Sequence, residues 1–257
     1  MKNLPRLMRI LATVCLALAA QTGFAQGSSQ AAEVPSRSWA TAPRHSAGIA
    51  PDPAQLAQLA IAQVYMAPTY GWRGFFAVHP WIIYKRQGEI TFTRYDVVGW
   101  RAPQVVQRNY ALPDGLWYGA TPELLVDHRG EGVDAMIDAI EAAVASYPFA
   151  DQYRSYPGPN SNTFLAHIGR QVPALQLDLP ANAIGKDYRP LTSPVGVSPS
   201  GSGVQISLLG LLGASVGLQE GLEVNVLGLN FGLDFNTPAL RLPFWGRWGF
   251  KDVASPG

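Results

Sequence analysis

Pro157-Gly158-Pro159-Asn160-Ser161-Asn162-Thr163-Phe164 reads as a tight turn that hands a short polar cluster to the start of a helix. Pro and Gly end whatever precedes them. Asn or Ser at the last non-helical position then satisfies backbone N–H groups that lack an intrahelical acceptor. Downstream, Phe164, Leu165, Ile168 and Val172 share one face, which predicts a helix over 161–171. A hydroxyl at Ser161 sits at the positive end of that helix dipole. The position suits a nucleophile, and it suits an ordinary helix cap equally well.

Upstream, residues 131–147 predict a second helix, with Val133, Met136, Ile137, Ile140 and Val144 on its apolar face. The stripe Glu131, Asp134, Asp138 and Glu141 reads as its solvated side. Before it, residues 75–86 and 89–100 are rich in β-branched and aromatic side chains and predict a hairpin around Gln87-Gly88. A two-residue turn sets His79 opposite Asp96, Trp81 opposite Arg94 and Ile83 opposite Phe92, close enough for an imidazole and a carboxylate to meet. Further strands are expected over 61–67, 104–110 and 116–119. A short helix is expected over 54–60, and a helix start at Thr121-Pro122-Glu123.

After the helix over 161–171 come Ile184-Gly185-Lys186-Asp187-Tyr188, a Ser/Pro/Gly linker, and a glycine-rich stretch in which apolar and polar residues alternate. Leu222, Val224 and Val226 alternate with Glu223 and Asn225, and Leu229, Phe231, Leu233 and Phe235 with Asn230 and Asp234. The expected fold class is α+β: a mixed, largely antiparallel sheet flanked by two helices, with a C-terminal β-meander. The segments read as a signal peptide over 1–25, a disordered tether over 26–52, a main domain over 53–190, and a linker and meander over 191–257. The meander is expected to pack on the main domain, with peripheral membrane contact as the lesser alternative.

Lys2, Arg6 and Arg9 precede an apolar run from Ile10 to Ala20, and Gly23-Phe24-Ala25 offers a cleavage site. This predicts a periplasmic or secreted protein; the alternative is an uncleaved segment holding it to the inner membrane. Cys15 is the one cysteine of 257 residues. A processed chain therefore has no disulfide, thiolate metal site or thiol nucleophile. Charged residues make up 14% with a net charge of +1, against about 25% in average domains. Without a basic tract, nucleic acid is not an expected partner. No phosphate loop, paired-His metal motif or nucleotide fingerprint is present, so neither metal nor cofactor is expected.

A Ser/His/Asp arrangement needs a hydroxyl, a base and a group that orients the base. Ser161, His79 and Asp96 are the candidates, with the Asn162 backbone N–H and the Asn160 side chain as candidate oxyanion donors. Each also has a structural reading: Ser161 or Asn160 as a helix cap, His79 as a core histidine. Trp72, Arg73, Trp81, Trp100, Tyr156 and Asn162, with Tyr70 and Trp117, are candidates for an aromatic-walled binding groove. They are equally candidates for core filling. Lys186-Asp187 reads as a surface ion pair.

Gly71-Trp72-Arg73-Gly74-Phe75-Phe76-Ala77-Val78-His79-Pro80-Trp81, Thr93-Arg94-Tyr95-Asp96-Val97-Val98-Gly99-Trp100, the 157–164 stretch and Ala183-Ile184-Gly185-Lys186-Asp187-Tyr188 resemble an uncharacterised bacterial domain-of-unknown-function family of the DUF3750 type. The resemblance brings no assigned activity. More distantly, the order His79, Asp96, Asn160-Ser161, Phe164 is similar to circularly permuted papain-like proteins, such as lecithin–retinol acyltransferase and cell-wall amidases. That likeness implies a hydrolase or an acyl or peptidyl transferase acting on an amide or ester in the cell envelope. Ser161 stands where those proteins carry cysteine, which leaves two alternatives, a serine variant or a retired site that only binds.

Overall fold

A computed structural model describes residues 38–250. The expected signal peptide lies outside the described residues. Among the described residues, twelve strands form two antiparallel sheets, accompanied by two α-helices and three short 3-10 helices. The first sheet has the order β4-β3-β2-β1-β5, from β1 (Ile61–Pro68), β2 (Val78–Lys85), β3 (Thr93–Val97), β4 (Val106–Arg108) and β5 (Glu123–Arg129). Helices α1 (Val133–Ala145) and α2 (Ser161–Gln171) cover one of its faces.

All eight residues of β2 are buried, because both faces of this strand are covered. Val78, Ile82 and Tyr84 join Ile137, Ile140, Phe164, Leu165 and Ile168 in a core shared with the helices. His79, Trp81 and Ile83 point to the opposite side. There Trp81 and Ile83 join Tyr65, Val98, Trp117 and Tyr118. Strand alternation thus assigns His79 and Trp81 to the face away from the helices.

The β2–β3 hairpin departs from the expected register. Ile82 pairs with Tyr95, Ile83 with Arg94 and Tyr84 with Thr93, so the connection is longer than two residues and the ladder is displaced by two. A two-residue displacement keeps side-chain parity. His79 and Asp96 therefore stay on one face, as diagonal neighbours instead of directly opposed ones. The helix expected from Thr121-Pro122-Glu123 is strand β5, paired with β1. Residues 54–60 form turns, and 116–119 contributes a single bridge, Trp117 to Ala120.

The second sheet is an uninterrupted meander of β6 (Val195–Val197), β7 (Gly203–Leu208), β8 (Leu212–Gly217), β9 (Gly221–Val226), β10 (Leu229–Asp234), β11 (Ala239–Leu242) and β12 (Gly246–Gly249). It is joined to the main domain through polar groups. Lys186 and Asp187, expected at the surface, are both buried. Lys186 Nζ donates to Glu223 Oε2 at 2.7 Å and to Leu179 O at 2.9 Å. Asp187 accepts from Gln205, Asn225 and Asn230 at 2.9, 3.0 and 2.7 Å. Arg241 adds a 2.6 Å contact to Asp178. Among the described residues no helix is long and apolar enough to cross a membrane.

Candidate functional site

The start of α2 is held by Asn160. Its side-chain oxygen accepts from the N–H groups of Asn162 (2.9 Å) and Thr163 (3.2 Å). Its amide donates to Ser155 O and Ile184 O. Thr163 Oγ1 accepts from the Asn160 N–H in return, completing a capping box. Every polar valence of Asn160 is thus used in holding the turn. Gly185 makes this possible: it has φ +97° and a Cβ there would meet the Asn160 amide at 2.5 Å. Asn162 reaches the other way, donating to Val78 O at 3.2 Å and Ile184 O at 2.8 Å. It ties the helix start to the residue just before His79.

These bonds correct the expected oxyanion donors. The Asn162 N–H and the Asn160 amide are both committed to capping and to carbonyls. In the first turn Phe164 N–H also has a partner, Asn160 O. The remaining donor is the N–H of Ser161 itself, which no described residue accepts.

Ser161 and His79 line the same cavity, a space of about 480 Å³. Its walls are aromatic: Trp39, Tyr70, Trp72, Phe76, Trp100, Trp117, Tyr118, Tyr153 and Tyr156. Thr69, Arg73, Ser155, Asn160 and Asn162 complete its polar lining. Asn162 Oδ1 is buried there without a hydrogen-bond partner. Of the expected groove residues, Trp72, Arg73, Trp100, Tyr156 and Asn162 are brought together. Trp81 is not. It is fully buried in the core, donating Nε1–H to Pro113 O at 2.8 Å, with the Arg94 guanidinium 4.1 Å from its ring centre.

His79 is held by stacking. Its ring lies parallel to Trp117 with centroids 3.6 Å apart and an interplanar angle of 6°. Nε2 is 3.8 Å from Asp96 Oδ2, beyond hydrogen-bond range but within strong coulombic reach. The carboxylate's nearer partner is Arg94, whose Nη2 and Nε approach the same oxygen at 2.7 and 3.1 Å. Burial pushes the His79 pKa down, and Asp96 only partly offsets it. The imidazole is therefore neutral at pH 7 and able to accept a proton. Burial alone would raise the Asp96 carboxyl, but Arg94 and then His79 outweigh it and hold it below its ordinary value. The site thus contains an ionised carboxylate behind a neutral ring, with the charge of the carboxylate met by a buried guanidinium.

Beyond the expected residues, Phe76 and Tyr153 join the wall, and three further contributors were not anticipated from the sequence. Arg94 is two residues from Asp96 on one strand face, a spacing that signals the pair once the strand is assigned. Tyr118 lies in a segment without periodicity. Trp39 falls within the expected tether, yet stacks on Tyr118 at 5.3 Å and meets Trp100 edge-on. Residues 38–52 are fastened there in part by Asp114, which accepts from Ser46 Oγ and from the N–H groups of Ile49 and Ala50. Among the described residues no cluster of His, Cys, Asp and Glu could hold a metal ion.

These features define an α+β protein with an aromatic-walled cavity and a histidine, a serine and an asparagine at its polar end. The model of the family described as "Protein of unknown function (DUF3750)" matches residues 59–188, just over half of the chain, and the protein belongs to that family. No curated protein and no solved structure matches it.

Proposed function

We propose that the protein is a cell-envelope hydrolase or acyl transferase that uses Ser161 as nucleophile and His79 as base on an amide or ester. The observation that carries this reading is that a helix-opening hydroxyl and a neutral, carboxylate-backed imidazole open onto one cavity. Ser161 Oγ would bond to the substrate carbonyl carbon while its proton passes to His79. The tetrahedral oxyanion would be met by the Ser161 N–H, at the positive end of α2. Collapse breaks the carbonyl C–O or C–N bond, and His79 returns the proton to the departing alcohol or amine. Water or an acceptor nucleophile then releases the acyl group from Ser161. Trp117 acts by positioning the ring. The export-like N-terminus supports placement in the envelope.

A second reading is favoured by the 3.8 Å His79–Asp96 separation and by Arg94 holding the carboxylate. In it the cavity binds an aromatic or acyl ligand without turning it over. A fluorophosphonate probe separates the two. Catalysis predicts labelling that Ser161→Ala abolishes and His79→Gln slows by roughly 10²-fold or more. An unlabelled serine, with ligand binding lost in Trp100→Ala and kept in Ser161→Ala, would sink the enzyme and leave the binding module.

A further inference from the structure

The C-terminal sheet is polar on the side that is buried and apolar on the side that is exposed. Gln205, Ser207, Glu223, Asn225, Asn230 and Arg241 face the main domain and are buried. Alternate positions face outward. Val204, Val216, Leu222, Leu233, Leu240 and Trp248 pair in turn across six consecutive strands, and Ile206, Ala214, Val224 and Phe231 form a second row beside them. No polar or charged side chain interrupts either row. Most of these side chains are 40% exposed or more. Summed over the sheet, the apolar face is on the order of 1,500 Å², against roughly 300–600 Å² for the largest patch on a typical monomer.

We propose that this face docks on a lipid bilayer. Three observations favour a bilayer over a second protein surface. First, a protein interface of this size carries about one hydrogen bond per 100–200 Å² and even homodimer interfaces are only about two-thirds apolar; among the side chains of these rows the indole N–H of Trp248, at the outer edge, is the single donor and there is no acceptor. Second, the aromatics concentrate at one end, where Phe244, Trp245, Trp248 and Phe250 are exposed, as suits the headgroup level of a membrane. Third, the apolar surface continues to the cavity mouth. Phe244 stacks on Phe75 with centroids 6.0 Å apart. Trp72, which lines the cavity with Phe76, meets that ring at 5.4 Å and is 75% exposed. A molecule leaving the bilayer at this edge would meet the aromatic walls directly. Resting on the reading under Proposed function, this assigns a substrate class: the acyl ester or amide of a membrane lipid.

The test uses the chain processed after residue 25, so that the apolar run from Ile10 to Ala20 cannot itself enter the bilayer, and vesicles of phosphatidylethanolamine and phosphatidylglycerol. It reads flotation, and quenching of tryptophan emission by lipids brominated along their acyl chains. Without Lys2, Arg6 and Arg9 the net charge of +1 becomes −2, which does not attract anionic lipid, so docking by apolar burial predicts flotation at low and high salt alike. Val224→Glu/Phe231→Glu should lower the vesicle-bound fraction by roughly tenfold or more. Leu208→Glu, on another strand, should repeat the loss, so one misfolded variant does not decide the matter. Trp248→Phe should float but quench less. Ser161→Ala should float like the parent, and probe labelling of Ser161 in vesicle-free solution reports the chemistry independently. The proposal is overturned by a parent that does not float, by charged-face variants that float as well as the parent, or by a parent dimer that the same substitutions dissociate.

Discussion

Asp96→Asn perturbs the group on which the buried electrostatics turn. Asp96 is fully buried and Arg94 is 1% exposed, and the one carboxylate oxygen takes two N–H contacts at 2.7 and 3.1 Å. The amide keeps the shape but removes the charge, so the guanidinium stays buried without a counter-ion. Removing one partner of a buried pair costs roughly 3–5 kcal/mol. For a folded unit of this size each kcal/mol lowers Tm by about 2–4 °C, so a drop of roughly 6–20 °C is expected. Arg94→Met should cost a comparable amount by stranding Asp96. The double variant should cost less than the two singles together, by about 2 kcal/mol or more. Urea unfolding of the four proteins measures the cycle. Single costs that simply add, with a coupling below about 0.5 kcal/mol, would refute the claim that these two residues form one buried unit.

Asn160→Ala strips the cap from α2, leaves the Ser155 carbonyl without its Asn160 donor and removes one of the two donors to Ile184 O, the other being Asn162; a loss of about 2–4 kcal/mol by chemical denaturation is expected. Gly185→Ala should reach a similar loss by forcing a Cβ into the Asn160 amide at a positive φ. Acidification tests His79. Its pKa is lower in the folded chain than in the unfolded one, so the unfolded state takes up the proton first as pH falls below about 6.5, and stability should drop by up to about 1.4 kcal/mol per pH unit. His79→Gln should reduce that slope, with His167 contributing the same sign; a slope unchanged by the substitution would show that His79 does not carry it. Lys186→Met leaves Glu223 buried without its lysine, and hydrogen exchange should quicken in β9 and its neighbours while β1 and β2 stay protected.

Local signals carried most of the main domain. The period of α1 and α2, the capping pattern at Asn160, and the β-branched runs of β1 to β3 are all short-range and survive the fold intact. The hairpin register was less legible, because a longer loop can replace a two-residue turn without any change in composition. Parity still kept His79 and Asp96 on one face. Strand β5 was obscured by Thr121-Pro122-Glu123, a good helix start locally, overridden because β1 needs a second neighbour at its other edge. The cavity was the least legible feature. Trp81 and Trp100 are indistinguishable by residue type, and only the alternation of β2 against the short 3-10 helix at Gly99–Arg101 sends one inward and the other to the wall. Trp39 sits in a low-complexity setting, and its place depends on the distant Asp114.

The polar interface explains why the meander is apolar on the outside. Lys186 and Asp187 end the segment matched by the family model, and each needs a buried partner of suitable chemistry. Three strands answer Asp187, through Gln205, Asn225 and Asn230, and β9 answers Lys186 through Glu223. Period-two alternation then spends the inward positions of β7, β9 and β10 on hydrogen bonding. Such a face gains little from the hydrophobic effect, and its ion pairs are weak net stabilisers once desolvation is counted. The apolar side chains that would ordinarily drive a sheet onto a core are left on the far side. The main domain thus sets the sheet's orientation, and the bilayer docking proposed above would supply the burial that this interface lacks.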